Sequence, residues 1–309
     1  MPEPIIIDTD PGQDDAVAIL LAIAARGSLD LRAIMAVAGN VPVAQTTANA
    51  IRICELAQRT DVPVLKGAEG PLVFPLETAE FVCGPDGLAG ANLPQPKGSA
   101  RKEHAVTFLI DYLRAAGERT VTLCTLGPLT NIAMALRLAP EIKSSIKRIV
   151  LMGGAMNLGN MTPAAEYNFY VDPQAAGIVL NSGIPLIMHG LNLTHQAVGT
   201  SEHNAAFAAF GTMTGRAIHG MLTRPRPGGL GTKGHPLHDP CVIAFVLWPD
   251  LFTGRDCNVE IDMSDGPLRG RSTVDWNGRL KKPANAFVVD TVDSPALFDR
   301  MIKEISTLP

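Results

Sequence analysis

Along the chain, short apolar runs alternate with longer stretches of helical periodicity. Ile5-Ile6-Ile7 is a β-branched run that fits a short buried strand, and Pro11-Gly12 ends it. The run from Ala16 to Ala25 is apolar all round and predicts a buried helix. Leu31 to Ala38 reads as a second strand ending at Gly39-Asn40, Val43 to Arg59 as a second helix, and Val62 to Leu65 as a third strand. This βαβαβ order predicts a parallel sheet with right-handed crossovers, whose ligands bind at the carboxyl ends of the strands. Asp8, Asp10 and Asn40 would lie at that edge.

Residues Gly67 to Lys102 form an irregular stretch rich in Gly and Pro, of a length that is functional or disordered in most compact domains. Glu103 to Ala116 is an amphipathic helix with Val106, Ile110 and Leu113 on one face. Thr120 to Leu126 is the next strand, with a helix opening at Gly127–Asn131. Lys147 to Met152 is another, ending in Gly153-Gly154. Asp172-Pro173 starts a helix as N-cap and first residue. Ile184 to Met188 is a strand. Ser201 to Thr223 reads as one helix with Phe207 and Phe210 inward and His203 and His219 in solvent. Arg224 to Gly234 is a loop, followed by an apolar helix from Cys241 to Leu247. The tail carries antiparallel-type strands at Asn258–Met263, Arg271–Trp276 and Ala286–Asp290, with Trp276 as a packing residue. Ser294-Pro295 caps a last helix. The fold class expected is α/β: an open, mostly parallel, Rossmann-like sheet with flanking helices and a few extra antiparallel strands, in one domain over 1–309.

Composition narrows the function. At 46% hydrophobic and 18% charged residues, the 309-residue chain can build a large core. A net charge of −4 gives no electrostatic footprint for nucleic acid. No apolar run reaches the roughly 18 residues of a membrane span. The N-terminus lacks a basic region followed by an apolar one, so a cytoplasmic location is expected. The five cysteines (Cys54, Cys83, Cys124, Cys241, Cys257) are odd in number and widely spaced, which reads as reduced thiols rather than a disulfide framework.

The chemistry concentrates where the first strand meets the first helix. Asp8, Asp10, Asp14 and Asp15 crowd one turn. At 4 Å, each like-charge pair costs about 4 kcal/mol at an effective dielectric of 20. A helix N-terminus returns only about 0.3–1 kcal/mol per carboxylate. Either some of the four stay protonated or a cation compensates them, and oxygen donors suit Ca²⁺ or Mg²⁺ rather than zinc. N-capping would explain one or two of these acids but not four. An EF-hand needs a Glu at the twelfth loop position, and counting from Asp8 that residue is Ile19. A Mg²⁺-dependent phosphatase of the haloacid dehalogenase class also places Asp-x-Asp after its first strand, with Asp8 as nucleophile. It usually has Thr or Val where this chain has Gly12.

Two further polar groups stand out. Asn160, Glu166 and Asn168 could bind vicinal hydroxyls or simply form Asx turns. His238-Asp239-Pro240 repeats the Asp-Pro form of Asp172-Pro173, so local physics makes Asp239 a helix cap. Between the loop and the apolar helix, however, it stands near the core.

Asp8-Thr9-Asp10-Pro11-Gly12-Gln13-Asp14-Asp15-Ala16 resembles the N-terminal signature of the inosine-uridine preferring nucleoside hydrolases. Gly159-Asn160 with Glu166-Tyr167-Asn168 resembles the family's ribose-binding segment, Thr194-His195-Gln196 is family-like, and His238-Asp239-Pro240-Cys241 resembles its C-terminal motif. The resemblance implies hydrolysis of the N-glycosidic bond of a ribonucleoside, through an oxocarbenium-like ribose. It implies Ca²⁺ held by Asp10, Asp15, the Leu126 carbonyl and Asp239, with Asp10 as general base and His238 as acid for the leaving base. Asp14, Asn40, Asn160, Glu166 and Asn168 would hold the sugar, and Asp8 would support the ligands from behind. A homodimer or homotetramer is usual in the family. Two departures are visible: Cys83 stands at or near the place of a common His, read here as a small apolar filler, and residues 211 to 237 contain no Tyr, Trp or Phe. A Ca²⁺-stabilised nucleoside- or sugar-binding protein without turnover is the non-enzymatic alternative.

Overall fold

Ile5, Ile6 and Ile7 are fully buried in β1 (Glu3–Thr9), and the main sheet extends to both sides of that strand. The computed structural model describes residues 1–224 and 234–309; the part of the predicted loop at 225–233 lies outside them. After β1 come α1 (Gln13–Ala24), β2 (Leu29–Ala36), α2 (Val43–Leu56), β3 (Val64–Lys66), α3 (Glu80–Cys83) and α4 (Ala105–Ala115). The chain continues through β4 (Val121–Thr125), α5 (Thr130–Leu138), β5 (Ile146–Met152), α6 (Tyr167–Val171), α7 (Pro173–Leu180), β6 (Leu186–His189) and α8 (Leu191–Thr194). Next are β7 (Val198–Gly199), α9 (Ser201–Ala208), α10 (Met213–Thr223), β8 (His235–Pro236) and α11 (Pro240–Leu247). The tail holds β9 (Phe252–Cys257), β10 (Val259–Ile261), β11 (Ser272–Val274), β12 (Ala286–Val292) and α12 (Ser294–Ile305).

Eight strands form the main sheet in the order β3-β2-β1-β4-β5-β6-β12-β9, parallel except for the antiparallel edge strand β9. The chain winds outward from β1 to β3, then returns to place β4 on the other side of β1. The strand order therefore reverses between β1 and β4, and the crevice outside their carboxyl ends is where an open α/β sheet binds its ligand. Both faces are covered. Ile5 and Ile7 pack with α1, α11 and α12, through Leu20, Ile243 and Phe298, whereas Ile6 packs on α4 and α5, through Leu109 and Ile132. Each fully buried isoleucine contributes about 1.5–3 kcal/mol relative to exposure, so the strand that carries the acids is among the best anchored.

Several expectations need correction. The 201–223 helix breaks at Gly211 (φ +68°), and Thr212 caps α10 by accepting from the Gly215 amide. His203 stacks on Phe298 with ring centroids 3.9 Å apart, and His219 Nδ1 lies 2.9 Å from the Asn204 carbonyl, so both are half-buried and partnered rather than free in solvent. Imidazole has an apolar face and a polar edge, and here both are used. The predicted strands near 258–263 and 271–276 do pair antiparallel, with each other as β10 and β11, but outside the main sheet, while β12 joins that sheet antiparallel to β9 and parallel to β6. Asp293, not Ser294, caps α12, accepting from the Ala296 amide. Trp276 packs as expected, against the core and under the Arg255 guanidinium, 4.3 Å from its ring centroid.

Candidate active site

A cavity of about 570 Å³ opens at the carboxyl ends of the strands, within the usual range of small-molecule sites. Its lining includes Asp10, Asp14, Asn40, Leu126, Asn160, Glu166, Asn168, His238 and Asp239. Asp10 leaves β1 at the reversal point and is buried. Its Oδ2 accepts from the Asn40 amide at 2.7 Å, and Asn40 Nδ2 donates back to the Asp10 carbonyl at 3.1 Å. Gly39 after β2 and Gly127 after β4 flank the carboxylate so closely that a Cβ on either would press into it. Asp15, in the first turn of α1, accepts from Thr9 Oγ1 at 2.6 Å and from the Gly12 amide at 3.0 Å.

The two Asp-Pro positions part company here. Asp172 caps α7, accepting from the Ala175 amide at 3.0 Å. Asp239 stands at the same position before α11 but caps nothing; its carboxyl faces Asp15, close enough for the two to share a proton. Oxygens of Asp14, Asp15 and Asp239 all lie within 4.8 Å of one another. Among the described residues this is the acidic group with metal-ligand spacing, and it contains Asp14 in place of the expected Asp10.

The opposite wall comes from the segment after β5. Glu166 caps α6: Oε1 accepts from the Asn168 amide at 2.8 Å, and Oε2 from the Gly154 and Phe169 amides at 2.8 and 3.1 Å. Asn168 Nδ2 donates to the Leu126 carbonyl at 2.8 Å and to the Met152 carbonyl at 3.1 Å. The Leu126 carbonyl, which the resemblance offers to Ca²⁺, thus accepts a side-chain hydrogen bond on one of its two lone pairs. Asn160 Oδ1 accepts from the Tyr167 amide at 2.9 Å. His238 Nδ1 lies 2.7 Å from Thr194 Oγ1, and its amide donates to Asp14 Oδ2 at 3.3 Å. His195 lines the same side, its ring 5.8 Å from that of His238.

Asp8 is brought to the neighbourhood but not into the cavity. It is buried, turned toward α5, and Oδ1 accepts from Asn131 Nδ2 at 2.7 Å. A side chain so placed cannot attack a substrate, which removes the phosphatase reading. Cys83 is buried, with Sγ 3.2 Å from the Ala79 carbonyl, and burial pushes its thiol up to about 12. It fills space as expected.

Burial raises the pKa of every acid in this constellation that shifts. For Asp10 the next cause is the charge of Asp15; for Asp239 it is the charges of Asp15, Asp14 and Asp10. Asp8 is raised to about 7 by burial against the Asn131 hydrogen bond, and Glu166 to about 7 by burial against its three backbone amides. Acids raised by burial, and for Asp10, Asp15 and Asp239 also by the charge of neighbouring acids, cluster at functional sites. Hard oxygen donors at this spacing fit Ca²⁺.

Some residues of the site carried no readable signal in the sequence. Thr9, Asn131, Gly39 and Gly127 act on acids that lie far away in sequence or on a neighbouring turn. Phe81, Val82 and Tyr167, by contrast, line the cavity from segments the sequence does single out, the irregular 67–102 stretch and the Glu166-Tyr167-Asn168 motif. Met152, at the end of a predicted strand, and Met161 also line the cavity.

A doubly covered, mostly parallel sheet with clustered carboxylates and amides at its strand reversal defines an α/β protein with a polar small-molecule site. The chain belongs to the inosine-uridine preferring nucleoside hydrolases, whose family model matches residues 5–299. It is 42% identical over 306 residues to the pyrimidine-specific ribonucleoside hydrolase RihA of Escherichia coli, covering 98% of each chain. Among solved structures, it is similar to a purine-preferring ribonucleoside hydrolase from Gardnerella vaginalis, with a TM-score of 0.89 at 32% identity and 99% and 98% of the two chains covered. A plant nucleoside hydrolase gives a TM-score of 0.92 at 31% identity over the whole of both chains. The protein is therefore an enzyme, a hydrolase acting on the N-glycosyl bond of ribonucleosides.

Proposed function

We propose that the enzyme hydrolyses pyrimidine ribonucleosides in preference to purine ones, with Ca²⁺ in the carboxylate cluster. The carrying observation is that buried Asp10 and Asp239, with Asp14, face across one cavity the amides and carboxylate of Asn160, Asn168 and Glu166, while buried Asp15 stands behind them within ligand spacing of Asp14 and Asp239. The pyrimidine preference rests on the higher identity to RihA. Asp15 and Asp239 would hold the ion together with Asp10 and the Leu126 carbonyl, and Asp14 is the further carboxylate the spacing admits. When bound, Ca²⁺ supplies the missing positive charge and a hard acid for hydroxyl oxygens.

The protein's own groups do the rest. Asp10, fixed by the Asn40 amide, takes the proton of the attacking water as general base. Asp14, Asn40, Asn160 and Asn168 bind the sugar hydroxyls. Glu166 faces the positive charge that develops on the ribose as the base departs. His238, held by Thr194, gives a proton to the leaving base.

The test is ribose release from uridine, cytidine, inosine, adenosine and guanosine, with Ca²⁺ and with chelator. Uridine or cytidine should be turned over fastest, and chelator should abolish it. Purines first would sink the pyrimidine preference, and chelator-resistant turnover would sink the Ca²⁺ assignment.

A further inference from the structure

Part of the cavity wall is an irregular segment, and a residue from the far end of the chain holds it. Arg269 lies on the connection between β10 and β11 and is buried. Its guanidinium is sandwiched between the rings of Phe74 and Tyr170, 3.9 and 4.2 Å from their centroids. Nε donates to the Tyr170 carbonyl at 3.0 Å, and Nη1 donates to the Glu77 carboxylate at 3.1 Å.

Glu77 is the hub. Its carboxylate also accepts from the Tyr170 hydroxyl at 3.0 Å, and its backbone carbonyl accepts from the Tyr167 hydroxyl at 2.9 Å. Tyr167 lines the cavity, and so do Ala79, Phe81 and Val82, two to five residues beyond Glu77. The same segment is pinned at Leu72, whose amide donates to Asp172 Oδ2 at 3.0 Å, and at Ala79, whose amide donates to the Asn40 carbonyl at 2.9 Å. The wall thus has two backbone pins and one side-chain clamp.

We propose that Arg269 is a positioning residue for the substrate cavity: through Glu77 it clamps residues 77–82 against Tyr167 and so fixes the wall that a bound nucleoside meets. This rests on the hydrolase activity for its kinetic readout. Loosening the wall makes substrate pay for ordering it, which weakens binding in ground and transition state alike. Arg269 and Glu77 themselves bond neither the general base nor the carboxylate cluster, which the segment meets through the Ala79 amide on the Asn40 carbonyl, a backbone pin that a substitution of Arg269 does not remove.

Arg269→Met should raise KM for the best nucleoside by about tenfold while kcat changes by less than about threefold. Hydrogen exchange should accelerate at residues 76–83 and remain unchanged over β1 and α1. Arg269→Lys should not restore KM, because an ammonium cannot stack between two rings while bonding both Glu77 and the Tyr170 carbonyl. Tyr170→Phe, which removes only one hydroxyl from the hub, should give a smaller change in the same direction. It carries the test if Arg269→Met fails to fold. Unchanged KM with unchanged exchange at 76–83 would overturn the proposal, and so would a fall in kcat alone. If the wild-type enzyme turned over no nucleoside, the hydrolase reading would fail, and exchange at 76–83 would still decide the role of Arg269.

Discussion

Asp172 and Asp239 each precede a proline that opens a helix, yet only one behaves as a cap. Asp172 is saturated by the Ala175 and Leu72 amides and the Thr130 hydroxyl. Asp239 caps nothing and sits among like charges. Opposite outcomes follow. Asp172→Ala should lower stability by about 2 kcal/mol, the sum of a lost cap and orphaned donors, and leave a folded, active enzyme. Asp239→Asn should raise the melting temperature of the metal-free protein by relieving repulsion, while abolishing turnover and any stabilisation by Ca²⁺. Thermal melts with chelator check both, and a metal-free Asp239→Asn that melts lower than wild type would return Asp239 to a structural role. The difference was not legible from the local sequence, because it depends on Asp14 and Asp15, more than two hundred residues earlier. The Asp-rich turn itself was legible, since four acids in eight residues violate electrostatics unless something compensates them. Which of them comes to ligand spacing was not, because that depends on side-chain direction around a turn.

At the scale of elements, the site is made by strand ends converging on Asp10. β2 leads to Gly39 and β4 to Gly127, and both approach the carboxylate too closely for any side chain. Gly127→Ala should leave the sheet intact and push Asp10 aside. A displacement of about 1 Å at a catalytic group costs on the order of 100-fold, so kcat should fall by about that factor with less change in KM. Steady-state kinetics beside an unchanged far-ultraviolet spectrum would check it, and full activity would mean that Asp10 needs no such cradle. The first six strands of the sheet were readable because strands buried on both faces are continuous apolar runs. Edge strand β9, Phe-Thr-Gly-Arg-Asp-Cys, was not, since an edge strand need bury only its ends. The α9–α10 break was missed because Gly211 and Thr212 interrupt a pattern that Ala-rich sequence otherwise continues. That β12 joins the main sheet while β10 and β11 stand apart is a tertiary choice that no local pattern encodes.

For the whole molecule, the site acids couple stability to pH and to metal. In the metal-free protein, Asp8 and Glu166 are raised to about 7, and Asp10, Asp15 and Asp239 are also raised, from ordinary values of 3.8 for Asp and 4.5 for Glu. A raised folded-state pKa means that the folded chain binds more protons than the unfolded chain between those limits. The associated stability is complete below the unfolded values near pH 4 and is lost as pH rises through about 7. Each group contributes a slope of up to about 1.4 kcal/mol per pH unit in its window. His189 acts in the other direction. It is fully buried between Phe245 and Phe252, and burial depresses it from 6.5 to about 3. Its contribution is complete above 6.5 and is lost as pH falls toward 3. His195 and His203, lowered by burial as well, act the same way, but between pH 5 and 8 these imidazoles oppose the five raised site carboxyls, so the melting temperature in chelator should fall as pH rises. Ca²⁺ requires deprotonated ligands, so its affinity should increase over the same range. At a hundredfold excess over Kd it adds about 2.7 kcal/mol, which flattens or reverses the slope. Melting curves at half-unit steps, with chelator and with Ca²⁺, separate the two terms. A chelated protein that gains stability from pH 5 to 8 would show that the acids are not held protonated by their surroundings. Coincident curves with and without Ca²⁺ at pH 8 would leave the cluster without its proposed ion.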